Sequence, residues 1–154
     1  MPETAVPSAS LRLALGSDHA GLSLKESLKP LLSRLNVSFE DLGTHTPDST
    51  DYPDYAHAVA SGIEAGRFDA GLLVCGTGLG MSMAANRHKA VRAAVCTDPY
   101  CARMARKHND ANVLCIGARV VGAGLAEDIV EAFLSTGFEG GRHAGRVQKI
   151  EPKP

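Results

Sequence analysis

The sequence predicts an α/β protein in which a five-stranded, mainly parallel sheet is covered by helices on both faces. The main observation is that short apolar runs of strand length alternate five times with segments of helical periodicity. Such alternation favours parallel strands joined by right-handed helical crossovers. The 154 residues also suit one domain, and a composition with 44% hydrophobic but only 5% aromatic residues suits closely packed aliphatic layers.

The chain is expected to consist of a short leader and a single domain. Residues 1–10 are rich in proline and small polar residues, which predicts a disordered leader. One domain should then extend over residues 11–154, with a polar and basic tail from about residue 138. This tail is predicted to form a terminal helix outside the sheet.

Five strands are predicted from apolar runs that end at glycine, proline or polar positions. They are Leu11–Ser17, Val37–Leu42, Ala70–Cys75, Arg92–Cys96 and Val113–Gly117. Helices are predicted where apolar residues recur every three to four positions. They are expected at 21–35, from Pro53 to about Gly66, from the loop after Cys75 to His88, from Pro99 to near His108, and around 125–133. Pro30 should kink or restart the first of these helices, because its ring clashes with the preceding turn.

Composition and charge argue against several classes of partner. The 16 basic and 17 acidic residues give a net charge of −1, so neither nucleic acid nor an anionic membrane is expected as a partner. The apolar runs fall far short of the ~20 residues of a membrane span, and the start of the chain does not fit a signal peptide, which predicts a cytoplasmic protein. The four cysteines form no C-x-x-C pair and the six histidines have no ligand spacing, so we expect reduced thiols and no metal site.

The most distinctive segment is AGLLVCGTGLGMSMAA at residues 70–85. An apolar strand stops at Cys75, and a loop with Gly76, Gly78 and Gly80 opens a helix, so backbone N–H groups can turn toward a ligand. Those groups favour negative charge, including that of a thiolate, and the loop could serve proton transfer, nucleophilic attack or phosphate binding. The alternative is that the glycines only allow close packing and that Cys75 is an inert buried residue.

Other polar side chains follow the predicted strands and should share one edge of the sheet with Cys75. They are Asp18 and His19 after the first strand, Thr97 and Asp98 after the fourth, and Arg119 after the fifth. Asp18 could equally be a helix N-cap. A charged His19 is disfavoured in the first turn of a helix, so it should stay neutral or meet an anionic ligand.

The carboxyl-terminal part of the chain carries further candidates. Arg142 and Arg146 are four residues apart, so a helix would place them on one face, where a phosphate could bind both guanidinium groups. A solvated charged face is the alternative. From spacing alone, His108 is expected to be only a residue at the end of a helix, and His143 and Lys149 are expected to be surface residues.

Six motifs extend in order over the chain from Leu11 to about Ile150. They are GSDHAG at 16–21, TDYPDYA at 50–56, CGTGLGMSMAAN at 75–86, HNDANVL at 108–114, GARVVG at 117–122 and EGGRHAGRV at 139–147. Together they resemble the type B ribose-5-phosphate isomerases, within the wider family of ribose and galactose phosphate isomerases. The resemblance implies a Rossmann-like α/β/α fold, no cofactor or metal, and interconversion of an aldose phosphate and a ketose phosphate through an enediolate. It also implies a homodimer, or a dimer of dimers, with active sites shared between subunits.

The resemblance further implies a role for each candidate residue. Cys75 matches the base that carries a proton between C1 and C2, and Thr77 would position or reprotonate this thiol. His108 matches the acid that opens the sugar ring, with Asp18 nearby. The other matches bind substrate: the backbone of Gly76, Gly78 and Gly80 for the enediolate oxygen, Asn109 for hydroxyls, Tyr52 for the sugar pocket, and His19, Arg119, Arg142 and Arg146 for the phosphate.

The resemblance leaves the substrate open between several sugar phosphates. A second subtype of the family has a glutamate base at the position of Met81 and a glycine at that of Cys75, so Cys75 is the one base expected in this loop. The presence of both the HND and GGRH segments favours ribose 5-phosphate as the substrate. The alternatives are a six-carbon substrate such as allose 6-phosphate or galactose 6-phosphate, and a non-catalytic sugar-phosphate-binding domain. The loop at 41–51 should govern substrate length.

Overall fold

The computed structural model describes residues 10–154, and of the predicted leader only Ser10 falls within this range. Within it, five strands alternate with five helices, and a sixth helix follows. The strands are β1 (Arg12–Ser17), β2 (Ser38–Asp41), β3 (Ala70–Cys75), β4 (Ala93–Val95) and β5 (Val113–Gly117). The helices are α1 (Leu22–Arg34), α2 (Tyr52–Glu64), α3 (Leu79–Ala85), α4 (Pro99–Asn109), α5 (Ala123–Leu134) and α6 (Arg142–Val147).

All five strands are parallel and form one sheet in the order β2-β1-β3-β5-β4. The chain adds β2 on one side of β1 and β3 on the other, so the direction of winding reverses between β1 and β3. In open α/β sheets, ligands bind at such a reversal, outside the carboxyl ends of the strands. The register pairs Ser17 with Val74 and Cys75 with Gly117, which brings the segments after β1, β3 and β5 together. The predicted fold class is confirmed.

Two apolar cores lie on the two faces of the sheet. Helices α1, α4 and α5 contribute to one core, which includes Val74 of β3. Helices α2 and α3 contribute to the other, where Val59 and Met81 join Leu73 and Cys75. Because side chains alternate along a strand, the thiol of Cys75 projects toward the α2–α3 face while its neighbour Val74 belongs to the opposite core.

Two helices differ from their predicted extent. Helix α1 runs through Pro30 without interruption, so the predicted restart of the helix there is wrong. The proline removes one backbone hydrogen bond of the helix, but Leu28, Leu31 and Leu32 around it are buried in the core and stabilise the helix. Helix α3 ends at Ala85 rather than at His88, and an irregular turn follows it.

The carboxyl-terminal tail forms α6, which lies outside the sheet and packs against α4, as predicted. The four cysteines are unpaired, also as predicted. Across residues 10–154, a helix with the length and apolar character needed to span a membrane is not found.

A buried ion pair joins α1 to the end of β2. The Lys25 side chain is 0% exposed, and its Nζ lies 2.6 Å from Oδ1 of Asp41 and 2.6 Å from the carbonyl oxygen of Thr44. Nζ of Lys29 lies 2.8 Å from the other carboxylate oxygen. Burial alone would raise the pKa of Asp41, but hydrogen bonds from Lys25, Lys29 and the Gly43 N–H together lower this pKa below its usual value. The fold therefore stabilises the ionised form of this carboxyl group.

We expect Asp41→Asn to lower the free energy of unfolding by roughly 3 kcal/mol near neutral pH, because it removes the close counter-charge of the buried Lys25 ammonium and leaves only Glu26, at 3.9 Å. The native-state pKa of Asp41 is lowered, so the ionised carboxylate stabilises the fold above its unfolded pKa of about 4. This contribution is lost as pH falls through the native pKa, and the two proteins should converge in acid. Urea unfolding over a pH series measures the difference.

Asp69→Asn provides the matched control for this stability measurement. Asp69 pairs with Arg12 at 2.9 Å, but the two side chains are 41% and 52% exposed. We expect this substitution to cost less than about 1 kcal/mol. An equally small cost for Asp41→Asn, or a cost that persists below about pH 3, would contradict a buried ionised pair.

Candidate active site

The Cys75 thiol lies at the carboxyl edge of the sheet, against the glycine loop that follows β3. Cys75 is only 4% exposed, and the backbone N–H of Gly78 donates to its Sγ at 3.0 Å. Gly78 has a φ of +80°, a left-handed conformation that glycine adopts without strain. The loop therefore turns back over the sulfur and holds it in one position.

Arg119 and Tyr52 flank this loop. A Cβ atom at Gly76 would lie 3.4 Å from Nη1 of Arg119, so the guanidinium group lies close to the loop backbone. A Cβ atom at Gly80 would lie 2.5 Å from Cε2 of Tyr52, so the phenol ring packs directly on the loop. The structure thus brings together with Cys75 the guanidinium and the phenol for which the family resemblance implies contacts with the phosphate and the sugar.

Other glycines at this edge serve backbone packing. A Cβ atom at Gly117 would lie 2.7 Å from backbone atoms of Thr77, and one at Gly78 would lie 3.1 Å from the backbone of Ile116. The packing interpretation therefore applies to these two positions, whereas Gly76 and Gly80 face side chains. Thr77 is exposed, and its Oγ1 accepts the Leu79 N–H at 3.3 Å.

Asp18 and His19 lie in the turn between β1 and α1, before the first turn of the helix in which His19 was expected. Asp18 is buried, and its Oδ1 accepts the Gly21 N–H at 3.0 Å. Asp18 closes this turn, and Gly21 rather than Asp18 is the N-cap of α1. Nδ1 of His19 accepts the Thr50 N–H at 3.1 Å. In neutral His19 the proton is therefore on Nε2, which can donate to an anion.

These residues form what we call the thiol cluster, at the reversal between β1 and β3. Its members are Asp18, His19, Tyr52, Cys75, the loop residues 76–80 and Arg119. It combines a thiol, a carboxyl group, a neutral imidazole and a guanidinium around an exposed stretch of backbone. Thr97 and Asp98 follow β4, and Asp98 accepts the Cys101 N–H as the N-cap of α4.

The other predicted site residues lie at the opposite edge of the sheet. Helix α4 begins after the carboxyl end of β4 and runs back, so its last residues lie near the amino ends of the strands. There Nε of Arg92 donates to the Asp110 carbonyl at 2.8 Å, and the Gly71 N–H donates to the Asn112 carbonyl at 2.8 Å. We call the group here the arginine cluster: His108, Asn109, Arg142, His143 and Arg146.

The arginine cluster has the features of an anion site. Arg142 and Arg146 are both exposed on α6, so their four-residue spacing places them on one face of a helix, as predicted. A cavity of about 280 Å³ lies beside Arg146 and is lined by His108, Asn109, His143, Arg146, Val147 and Ile150. His108 lies in the last turn of α4, as expected from spacing, but it also borders this cavity.

His143 is not the surface residue that was predicted. It is buried, and its ring stacks on that of His108 with centroids 4.3 Å apart and planes 12° apart. Burial lowers the pKa of His143, and the nearby His108 and Arg142 lower it further. The sequence did contain a signal, because Val147 lies four residues on and thus on the same helical face.

Glu139 completes a possible set of metal ligands with His108 and His143, because one ligand atom from each lies within 4.8 Å of the others. The stacked rings do not suit a metal ion, however, since imidazole lone pairs lie in the ring planes and nearly parallel planes do not meet at bonding distance. Arg142 and Arg146 add positive charge to the same surface. The arrangement suits an anion better than a cation.

One copy of the chain does not bring the two clusters together. The six residues of β3 separate the two edges of the sheet by roughly 17 Å, at about 3.3 Å per residue. His108 and Cys75 therefore cannot contact the same small sugar within one chain. The two clusters could contact one small ligand only if the arginine cluster of a second copy lay against the thiol cluster of the first.

Comparison with known proteins decides the family. The model of the Ribose/Galactose Isomerase family matches residues 13–150. The chain belongs to the ribose/galactose isomerase family. Similar proteins of this isomerase family include Ribose-5-phosphate isomerase B of Escherichia coli (strain K12), which is 48% identical over 139 residues, covering 90% of this chain and 93% of the relative.

Solved structures of ribose 5-phosphate isomerases are similar to this isomerase in fold. That of Thermotoga maritima is 49% identical, has a TM-score of 0.90, and is matched over 94% of this chain and 99% of that one. The Mycoplasma genitalium Ribose-5-phosphate Isomerase B with bound ribulose-5-phosphate is 42% identical, with a TM-score of 0.87 and coverage of 92% and 94%. The expected family and enzyme class are confirmed.

Proposed function

We propose that this isomerase interconverts ribose 5-phosphate and ribulose 5-phosphate in the cytoplasm, with Cys75 as the base. The observation that carries the proposal is the placement of a buried thiol at the sheet reversal, held by the Gly78 N–H beside Arg119. The Escherichia coli relative bears the name of this activity, and the Mycoplasma genitalium relative binds ribulose-5-phosphate. Met81, the position of the alternative base, is a fully buried thioether that cannot exchange a proton.

The thiolate of Cys75 would remove the proton from C2 of the open-chain aldose. The electron pair of that C–H bond then forms the C1–C2 double bond, and the carbonyl pair moves onto the oxygen at C1. The proton on sulfur returns to C1, the hydroxyl proton at O2 passes to O1, and the ketose carbonyl forms at C2. Thr77 would position the thiol during both transfers.

The loop over residues 76–80 would stabilise the negative oxygen of the enediolate. Its backbone is partly exposed around the sulfur, at Gly76 and Gly80. Preorganised N–H donors act where charge develops, and one such donor typically contributes about 3 kcal/mol. Tyr52, packed on Gly80, would close one side of the sugar pocket.

The proposed active site is shared between two copies in a homodimer, which could pair further into a dimer of dimers. His19 and Arg119 would bind the phosphate from the subunit that holds Cys75. Arg142 and Arg146 of the partner subunit would bind it from the other side. His108 of the partner subunit would open the ring with Asp18 nearby, and Asn109 of the partner subunit would bind hydroxyls. The opposite placement of the two clusters in one chain supports this arrangement.

An exposed apolar surface beside the thiol cluster also supports a second copy. Leu79 and Met83 on α3 are 52% and 65% exposed, and Tyr52 next to them is 42% exposed. Apolar groups of this size around a polar site are typical of a contact surface. In a homodimer they would be covered by the same subunit that supplies the arginine cluster.

Cys75→Ala should lower kcat for ribose 5-phosphate by more than about 100-fold, because the general base is lost. Binding should survive, and isothermal titration of the inactive variant with ribose 5-phosphate measures it. Turnover is followed as ribulose 5-phosphate formed in the presence of a chelator. Cys101→Ala, at the exposed cysteine of α4, is the control and should keep the wild-type kcat.

Isomerisation by the Cys75→Ala variant at the wild-type rate would assign the reaction to another base. A wild-type protein that binds the sugar phosphate without turnover would be a binding domain instead. These two results exclude different parts of the proposal.

The kcat/KM for ribose 5-phosphate should exceed that for allose 6-phosphate by at least about tenfold. A pocket that fits the shorter sugar typically discriminates by at least this factor against a substrate with one more carbon. Both sugars are assayed with the same enzyme preparation. Equal values would defeat the five-carbon assignment.

A mixing experiment tests the shared site. Arg142→Ala should raise KM, because it removes a proposed phosphate contact. At substrate concentrations well below that KM, Cys75→Ala and Arg142→Ala should each be nearly inactive. If clusters combine across subunits, each mixed dimer contains one site with an unsubstituted thiol cluster and an unsubstituted arginine cluster. Random re-pairing makes about half of the dimers mixed, so about a quarter of all sites should be active. Mixing two samples of Cys75→Ala is the control. Mixed dimers that form, as mass spectrometry can verify, but stay inactive would place the whole site in one chain.

A further inference from the structure

The buried Lys25–Asp41 pair lies outside the candidate site but is connected to the loop that contacts His19. We propose that Lys25 and Asp41 are positioning residues for phosphate recognition: they fix the loop between β2 and α2 so that the Thr50 N–H holds His19 with its proton on Nε2. This inference rests on the proposed function, in which His19 binds the substrate phosphate.

The first step of the connection is at the beginning of the loop. Lys25 Nζ donates to the Thr44 carbonyl at 2.6 Å and to Asp41 Oδ1 at 2.6 Å. The same Oδ1 accepts the Gly43 N–H at 2.9 Å. The Lys25 ammonium and the Asp41 carboxylate therefore bind the backbone of Thr44 and Gly43 from the interior of the protein.

The second step joins this backbone to the end of β1. The Ser17 N–H donates to the Gly43 carbonyl at 2.6 Å, and the Thr44 N–H donates to the Ser17 carbonyl at 2.5 Å. Ser17 is followed directly by Asp18 and His19 in the thiol cluster. The position of the loop and the start of the β1–α1 turn are thus set by the same contacts.

The third step is at the far end of the loop. The Thr50 N–H donates to His19 Nδ1 at 3.1 Å, and Thr50 Oγ1 shares a hydrogen bond of 2.8 Å with the hydroxyl of Tyr55. Residues 45–49 between the two ends are exposed. Burial does not fix this stretch, and the contacts at its two ends join it to α1, β1 and α2.

A lysine is an unusual choice for this position. Positions 25, 28 and 32 lie on one face of α1, and the other two are buried leucines. Replacing a buried ion pair by apolar residues is often neutral or stabilising, so stability alone does not require the charge. A leucine, however, could not donate to the Thr44 carbonyl, and that contact is what connects Lys25 to the loop.

The test is the tautomer of His19, observed by proton–nitrogen correlation NMR at about pH 8, where an ordinary imidazole is neutral. His19→Ala identifies the signals. In the wild type we expect the Nε2–H form. Lys25→Met should give a mixture of both tautomers and raise KM for ribose 5-phosphate about tenfold with kcat within about twofold, because ground-state binding is affected.

Lys29→Met is the matched control, because Lys29 also pairs with Asp41 but has no contact with Thr44 among those observed in residues 10–154. It should leave the tautomer and KM unchanged. The double variant with Lys25→Met and His19→Ala should have the same KM as His19→Ala alone, since Lys25 acts on substrate binding through His19. If Lys25→Met does not fold, Thr50→Pro removes the N–H donor itself without breaking the buried pair, and the same tautomer mixture is expected.

A folded Lys25→Met or Thr50→Pro variant in which His19 keeps the pure Nε2–H form would overturn the inference. A further rise in KM when Lys25→Met is added to His19→Ala would do the same. The NMR result does not depend on turnover. A tautomer change in a protein without isomerase activity would therefore support the positioning contacts while rejecting the proposed function.

Discussion

The close approach of backbone to backbone at the carboxyl edge of the sheet is the constraint on which this structure depends. A Cβ atom at Gly21 would lie 2.1 Å from the Val74 carbonyl oxygen, so the start of α1 packs directly on the end of β3. On the other side of β3, Gly117 leaves room for the backbone of Thr77. These contacts draw the ends of three strands together and leave the thiol of Cys75 at their centre.

This packing also explains how a largely apolar strand can end at a cluster of polar groups. Cys75 belongs to the α2–α3 core and is nearly inaccessible along most of its surface. The glycine loop then reverses over it and provides an N–H to the sulfur. The sulfur is therefore held between the core and the loop, an arrangement that supports its proposed role in proton transfer.

The two edges of the sheet carry the two halves of the proposed active site. The thiol cluster holds the proposed base and the backbone donors, while the arginine cluster holds two guanidinium groups and two stacked imidazoles. Because a parallel sheet places the start and end of each helix at opposite edges, residues at the end of α4 are separated from those after β3. Self-association of identical chains is the simplest way to combine them, and the exposed α3 face beside the thiol cluster provides a surface for it.

The sequence by itself determined the succession of strands and helices along the chain, the parallel sheet and the edge at which Cys75, Asp18, His19 and Arg119 gather. These follow from local periodicity and from the rule that polar residues after parallel strands share an edge. The order of the strands within the sheet was decided by the tertiary structure. The family motifs predicted the remaining candidate site residues. The tertiary structure decided what local patterns do not contain. Burial of the surrounding leucines keeps α1 continuous through Pro30, packing of α6 on α4 buries His143, and Lys25 occupies an apolar helical face because Asp41 and Thr44 meet it there. These outcomes depend on partners distant in sequence, so only the folded chain fixes them.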